Sequence, residues 1–152
     1  MKRRLLSICV LPLLLWGCGP SGDFKKLKTY LDNNPGHITN KEQLFRKLKA
    51  TYEPLETSIP FLLDMTKSTD PEEAVTAYVA LATLCSQVAG TPTPQGKAQV
   101  DRIKPKELYQ YFETFDSSGL DSDWTERFEF THSVMKQSLE QELSPSPADP
   151  EN

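Results

Sequence analysis

Residues 69–90 read TDPEEAVTAYVALATLCSQVAG, and this stretch decides the fold class. Asp70 precedes Pro71 and two glutamates, which is typical of a helix that has an aspartate cap and a proline in its first turn. Apolar residues then cover more than one face of the predicted helix, and several alanines allow close approach by neighbours. Gly90 ends the pattern. We therefore predict a helix that is buried at the centre of a bundle.

Segments on both sides of this stretch have the same helical periodicity. Besides the central helix, the predicted helices start near Asp23, Thr39, Ser58, Pro105 and Ser122. Residues 91–99 contain two prolines and a glycine and predict a loop. No stretch alternates convincingly between apolar and polar residues. The fold class is therefore predicted as all-α, with five or six helices in a bundle or a short helical solenoid.

The first eighteen residues have the composition of a bacterial export signal. Basic residues at positions 2–4 precede an apolar run over 5–16, which is too short for a hydrocarbon layer that needs roughly twenty residues. The sequence Leu-Trp-Gly-Cys at 15–18 follows. This ending resembles the lipobox of bacterial lipoproteins.

The resemblance implies that Cys18 is lipidated. In that family a diacylglycerol thioether forms on the cysteine, the signal is cut before it, and the new amino group is acylated. Trp16 departs from the pattern, because small or aliphatic residues are commoner at this position. A secretory signal cut nearby and an uncleaved anchor are the alternatives. Gly19, where enterobacterial lipoproteins retained at the inner membrane tend to have aspartate, implies the outer membrane facing the periplasm if the host is Gram-negative.

Composition divides the chain into four parts. We predict a signal peptide over 1–17, a short lipidated tether over 18–22, a helical domain over 23–143 and a disordered tail over 144–152. The tail contains three prolines and no apolar anchor. The flexible part of the tether reaches little more than about 10 Å, so we expect the helical domain close to the membrane.

Charge is unevenly distributed along the chain. Residues 18–53 contain seven Lys or Arg and four Asp or Glu, whereas residues 54–152 contain seven and seventeen. A membrane-proximal basic surface is predicted from Lys25, Lys26, Lys28, Arg46, Lys47 and Lys49. The alternative is that these residues form ordinary solvated helix faces. The acidic excess and the export signal argue against nucleic-acid binding.

Residues that could support catalysis or bind a metal are few. His37 and His132 are the two histidines, and neither has a second His or Cys at ligand spacing. Cys85 lies in an apolar stretch and is predicted to be a buried packing residue. Asp64 is the one carboxylate in an apolar context. We therefore expect no metal, no cofactor and no catalytic residue.

These patterns leave three hypotheses for function. The first is a non-enzymatic envelope lipoprotein whose helical domain binds another envelope protein and helps to assemble or place an envelope complex. It rests on the short tether, the charge distribution and aromatic residues such as Tyr109 and Tyr111, which we expect on the surface. The second is a small envelope enzyme or ligand-binding lipoprotein with a site near Asp64, Cys85 or His132. The third is a surface-exclusion or immunity lipoprotein, which fits the size and anchor equally well.

Overall fold

The computed structural model of the chain describes residues 20–34, 41–51, 55–90 and 93–143. These residues form helices and no strand, so the all-α prediction is confirmed. The helices are α1 (Pro20–Asp32), α2 (Lys41–Thr51), α3 (Leu55–Met65), α4 (Pro71–Gly90), α5 (Pro94–Ile103), α6 (Pro105–Glu113) and α7 (Ser122–Leu143). The predicted signal peptide at 1–17, the lipidation site Cys18 and the predicted tail at 144–152 lie outside the described residues.

Helix α4 is the centre of a bundle, as its sequence predicts. It contacts α1, α2, α3, α5 and α7. Every residue from Ala74 to Ala82 is buried, because neighbours pack on several sides of the helix. The start of α4 also follows the prediction. The Asp70 carboxylate accepts hydrogen bonds from the backbone N–H groups of Glu72 (2.9 Å) and Glu73 (3.4 Å).

Helix α5 is the main departure from the predicted order of helices. It begins inside the segment 91–99, for which the prolines and glycine predicted a loop. Thr93 is its N-cap, and the Thr93 hydroxyl accepts a hydrogen bond from the Gly96 N–H at 3.0 Å. Pro94 occupies the first turn, where its missing N–H has no helical partner to lose. Proline and glycine, which commonly end helices, therefore lie in the first turn of one here, as Pro94 and Gly96.

Two other helices begin earlier than their sequences predict. Helix α3 starts at Leu55, not near Ser58, so Pro60 lies inside the helix on its exposed side. Helix α1 starts at Pro20, not near Asp23. Pro20 is in the first turn of α1, where proline is favourable, and Asp23 complements the positive end of the helix dipole. Three of the five residues assigned to the tether are therefore helical.

Helix α7 packs against α4 and α6 and completes the bundle. The Asp121 carboxylate accepts a hydrogen bond from the Trp124 N–H at 2.9 Å at the start of the helix. Trp124, Arg127, Thr131 and Met135 are buried along one face. Arg127 occupies a buried position in this stripe, and the neighbouring Phe128 is half-buried.

Candidate functional site

The first helix buries one face and exposes the opposite one. Phe24, Leu27 and Leu31 are buried at a spacing of three and four residues. Lys25 and Lys26 consequently lie on the exposed side. Lys25 lies five residues after Pro20, where the helix begins.

The second helix places its basic residues in the same way. Leu44 and Leu48 are buried, so Arg46, Lys47 and Lys49 are exposed. Since α1 contacts α2, their exposed sides adjoin. Together the two helices contain seven Lys or Arg and three Asp or Glu, whereas residues 55–143 contain seven and fifteen. Positive charge is therefore concentrated on one side of the bundle.

A groove with a volume of about 610 Å³ lies on this side. We call it the basic groove, and its lining is Lys25, Lys26, Leu27, Thr29, Tyr30, Asn33, Asn34 and Lys47. No acidic residue is among this described lining. The volume is in the range typical of sites for small organic groups. Of the six predicted basic residues, the structure brings Lys25, Lys26 and Lys47 together here.

Polar contacts organise the walls of the basic groove. The Lys47 ammonium lies 5.5 Å from the centre of the Tyr30 ring, a cation–π distance. The side-chain amides of Asn33 and Asn34 donate to the backbone carbonyls of Thr29 (2.8 Å) and Tyr30 (2.7 Å). These bonds occupy carbonyl oxygens at the negative end of the α1 dipole, which would otherwise oppose an anion.

Lys28 differs from the other predicted basic residues. It is half-buried, and its ammonium forms ion pairs with Glu72 on α4 and with Asp32, the latter at 3.4 Å. It also lies 5.3 Å from the centre of the Trp124 ring. Burial lowers the pKa of Lys28, but the bonds to Glu72 and Asp32 outweigh burial and the pKa is raised overall. Lys28 therefore joins α1 to α4.

Arg127 is a buried charge that the sequence reasoning missed. The side chain is 3% exposed. One guanidinium nitrogen donates to the backbone carbonyls of Leu31 (2.8 Å) and Asn34 (3.2 Å), and the guanidinium lies 4.4 Å from the centre of the Trp124 ring. Burial lowers the pKa of Arg127, and the nearby carboxylates, including Asp32, oppose that effect. The residue contacts the C-terminal end of α1, and no local pattern in the sequence signals that contact, because its acceptors are more than 90 residues away.

A cluster of aromatic residues surrounds His132 at the α4–α6–α7 contact. The Tyr78 hydroxyl lies 2.9 Å from His132 Nδ1, and the Tyr109 ring stacks on the imidazole at 4.2 Å. Tyr78 in turn stacks on Phe112 at 3.9 Å. Burial raises the pKa of Tyr78, so its hydroxyl remains protonated and can donate to the imidazole. Burial also lowers the pKa of His132.

The residues of the enzyme or ligand-binder hypothesis lie apart from the two clefts described among these helices. Asp64 is exposed, Cys85 is buried, and His132 is stacked within the aromatic cluster. A second cleft, of about 30 Å³, lies among α2, α4 and α7, and none of these three residues lines it or the basic groove. That volume is sufficient for about one water molecule. His37 lies outside the described residues.

Within the described ranges, no group of three or more His, Cys, Asp or Glu side chains is placed to hold a metal ion. Among the same residues, no helix is both long enough and apolar enough to cross a membrane. Comparison of the chain with protein-family models, with curated proteins and with solved structures finds no match. The site is therefore interpreted from its own geometry.

Proposed function

We propose that this chain is a membrane-anchored bacterial envelope lipoprotein whose helical domain binds another envelope protein without acting as an enzyme. The lipid is attached to Cys18. The helical domain serves in assembly or placement of an envelope complex. The outer membrane, facing the periplasm, is the proposed location if the host is Gram-negative.

The observation that best supports work at the membrane surface, given the anchor, is the short distance between Cys18 and the folded domain. The lipobox-like ending stops at Cys18, and α1 begins at Pro20. Two peptide units span at most about 7 Å, so the lipid and the first helix are separated by less than the width of one helix. A domain attached so closely works at the membrane surface.

The negative charge of helices α3–α7 supports the interaction role. Residues 55–143 have a net charge of −8, from seven Lys or Arg and fifteen Asp or Glu. Tyr111 on α6 is 45% exposed and is the large hydrophobic side chain most open to solvent among the described residues. Exposed tyrosines that can be buried by a partner are frequent anchors of protein interfaces. Tyr109 is less available, since it stacks on His132.

The test is a pull-down from detergent-solubilised envelopes of the native host. Tagged wild-type protein should recover a specific envelope protein, and Tyr111→Ala should lose most of it. Gln110→Ala is the matched control, because Gln110 is exposed on the same helix and should recover the protein as the wild type does. Equal recovery by both variants would contradict a role for Tyr111, and recovery of no specific protein by the wild type would contradict the interaction function.

A further inference from the structure

We propose that the basic groove binds anionic phospholipid headgroups of the membrane to which Cys18 is anchored, so that α1 and α2 lie on the bilayer and the acidic side faces away. This inference rests on the proposed lipid anchor and names the surface that contacts the membrane. It concerns a binding site on α1 and α2, whereas the proposed partner binds the other helices, which carry the negative charge.

The first argument is distance. Lys25 and Lys26 follow Pro20 by five and six residues on a continuous helix. At about 1.5 Å of rise per residue, they lie only about 8–9 Å further along the helix than its start. Adding at most about 7 Å for the link to Cys18 places their Cα atoms within roughly 16 Å of the Cys18 Cα atom. The anchor therefore brings the end of the groove formed by Lys25 and Lys26 close to the headgroup layer.

The second argument is chemistry. Three lysines, Lys25, Lys26 and Lys47, line a groove that has no acidic residue among its described lining. The Lys26 ammonium also forms an exposed ion pair at 3.1 Å with Asp23, which lies outside the groove. Thr29 adds a hydroxyl, and Tyr30 adds a half-buried aromatic ring with a polar tip. Lysine is a point charge that suits phosphate, and tyrosine is enriched at the headgroup level of membranes. The combination matches a phosphate-bearing headgroup better than an apolar ligand.

The third argument is the charge of the whole bundle. The basic groove and the exposed Arg46 and Lys49 lie on the two helices with a net charge of +4, and the described remainder at 55–143 has −8. An anionic membrane surface attracts the positively charged α1 and α2 and repels the negatively charged residues 55–143. Its field acts within about one Debye length of the surface. A single tether fixes position but not orientation. The charge distribution supplies the orientation.

The direct experiment measures which lysines the membrane covers. The full mature chain, Cys18 to Asn152, is coupled through the Cys18 thiol to a maleimide lipid in preformed vesicles. Cys85 is 4% exposed and does not compete. A water-soluble amine acylating reagent is added, and mass spectrometry follows each lysine. Vesicles of phosphatidylcholine alone are compared with vesicles that also contain phosphatidylglycerol.

We expect Lys25, Lys26 and Lys47 to be acylated several-fold more slowly when phosphatidylglycerol is present. The control lysines Lys97, Lys106 and Lys136 are exposed outside α1 and α2 and should react equally on both vesicles, as their position away from the groove requires. Equal rates at the groove lysines on both vesicles, or the same slowing at the control lysines, would overturn the proposal.

A second experiment uses matched variants of the mature chain with Cys18→Ser, which removes the anchor. K25Q/K26Q/K47Q and K97Q/K106Q/K136Q change the net charge by the same amount. In flotation with phosphatidylglycerol vesicles, each lost groove lysine should weaken partitioning about fivefold, and the triple variant on the order of 100-fold. The control variant should partition like its parent. Equal losses in the two variants, with unchanged circular dichroism, would contradict the groove.

These experiments separate the inference from the proposed function. Coupling through maleimide supplies an anchor whether or not the host lipidates Cys18. An unlipidated Cys18 in native cells together with protected groove lysines would reject the proposed function and retain the site. A lipidated Cys18 with unprotected groove lysines would reject the headgroup site and retain the proposed function.

Discussion

Arg127 shows how one side chain can join the end of one helix to the face of another. A buried guanidinium is costly unless its donors are satisfied, and here one nitrogen reaches two carbonyls beyond the regular bonding of α1. The Nε atom of Arg127 has no hydrogen-bond partner among the described atoms. The residue therefore contributes through one terminal nitrogen and through its stack on Trp124, a planar contact that lysine cannot reproduce.

Arg127→Lys should lower the free energy of unfolding by about 2 kcal/mol, since it keeps the charge but loses the planar contact with Trp124 and the guanidinium bonds to the carbonyls of Leu31 and Asn34. Urea denaturation measures the change. Arg102→Lys is the control, because Arg102 is exposed on α5 and should change stability by less than about 0.5 kcal/mol. Equal stability of the two variants would show that the Arg127 contacts add nothing.

His132 makes the stability of the bundle depend on pH. Its pKa in the folded protein is lowered first by burial and also by Lys136, while Glu113 opposes the shift. The unfolded chain then binds a proton more readily than the folded one. Stability is lost as the pH falls below 6.5, the ordinary pKa of histidine, and the loss ends once the pH has passed the pKa of His132 in the folded protein. Above pH 6.5, titration of His132 does not affect stability.

His132→Gln should therefore flatten the decline in stability between about pH 7 and pH 5, with an effect below about 1 kcal/mol because solvent screens a half-buried ring. Urea midpoints of wild type and variant at the two pH values provide the measurement. A difference between the two proteins that stays constant with pH would rule out titration of His132 as the cause.

At the scale of the helix, the ion pair between Lys28 and Glu72 joins α1 to α4. Lys28→Gln should reduce the free energy of unfolding by about 1 kcal/mol, because the half-buried pair and the contact with Trp124 are both lost. Lys25→Gln is three residues away on the exposed side of the same helix and should be nearly neutral. Chemical denaturation measures the free energy of unfolding of both variants. An equal loss of stability in Lys25→Gln would contradict a special role for Lys28.

The N-terminus of α4 gives a second prediction at this scale. Asp70→Ala removes the acceptor of two backbone N–H bonds and should cost about 1 kcal/mol. Asp101→Ala, an exposed change inside α5, is the control and should have little effect. Thermal unfolding measures both. No difference between the variants would mean that water satisfies these donors as well as Asp70 does.

Local signals explain which helices the sequence could predict. The start of α4 was predictable because Asp70 and Pro71 act on backbone groups within three residues of themselves. The segment before α5 has residues that both begin and end helices, and only its packing against α4 decides between the two. The predicted start of α3 near Ser58 was wrong for a similar reason, since burial of the helix outweighs the cost of Pro60 in its interior.

The basic residues of the candidate site could be predicted from the sequence, but their arrangement in space could not. Helical spacing indicated that Lys25 and Lys26 are exposed, and both are. It could not distinguish Lys28, whose partner Glu72 is 44 residues away. Nor could it find Arg127, whose acceptors are more than 90 residues away. Contacts between distant segments determine both roles, and a single sequence does not encode their pairing in a readable pattern.

At the scale of the whole molecule, the account joins an anchor to an orientation. A small bundle with a basic side on α1 and α2 and an acidic remainder begins two residues after Cys18. In the proposed arrangement, lipid on Cys18 brings the basic groove to the bilayer and leaves Tyr111 on another helix for a partner. Without that lipid, the charges of α1 and α2 alone would have to hold the domain at a membrane.

Mass spectrometry of the protein purified from its native host reads the state of Cys18. We expect an N-terminal peptide that begins at Cys18, with a diacylglycerol thioether on its sulfur and an acyl chain on its amino group. An unmodified thiol at Cys18, an intact leader peptide or an N-terminus at another residue would refute lipidation of Cys18.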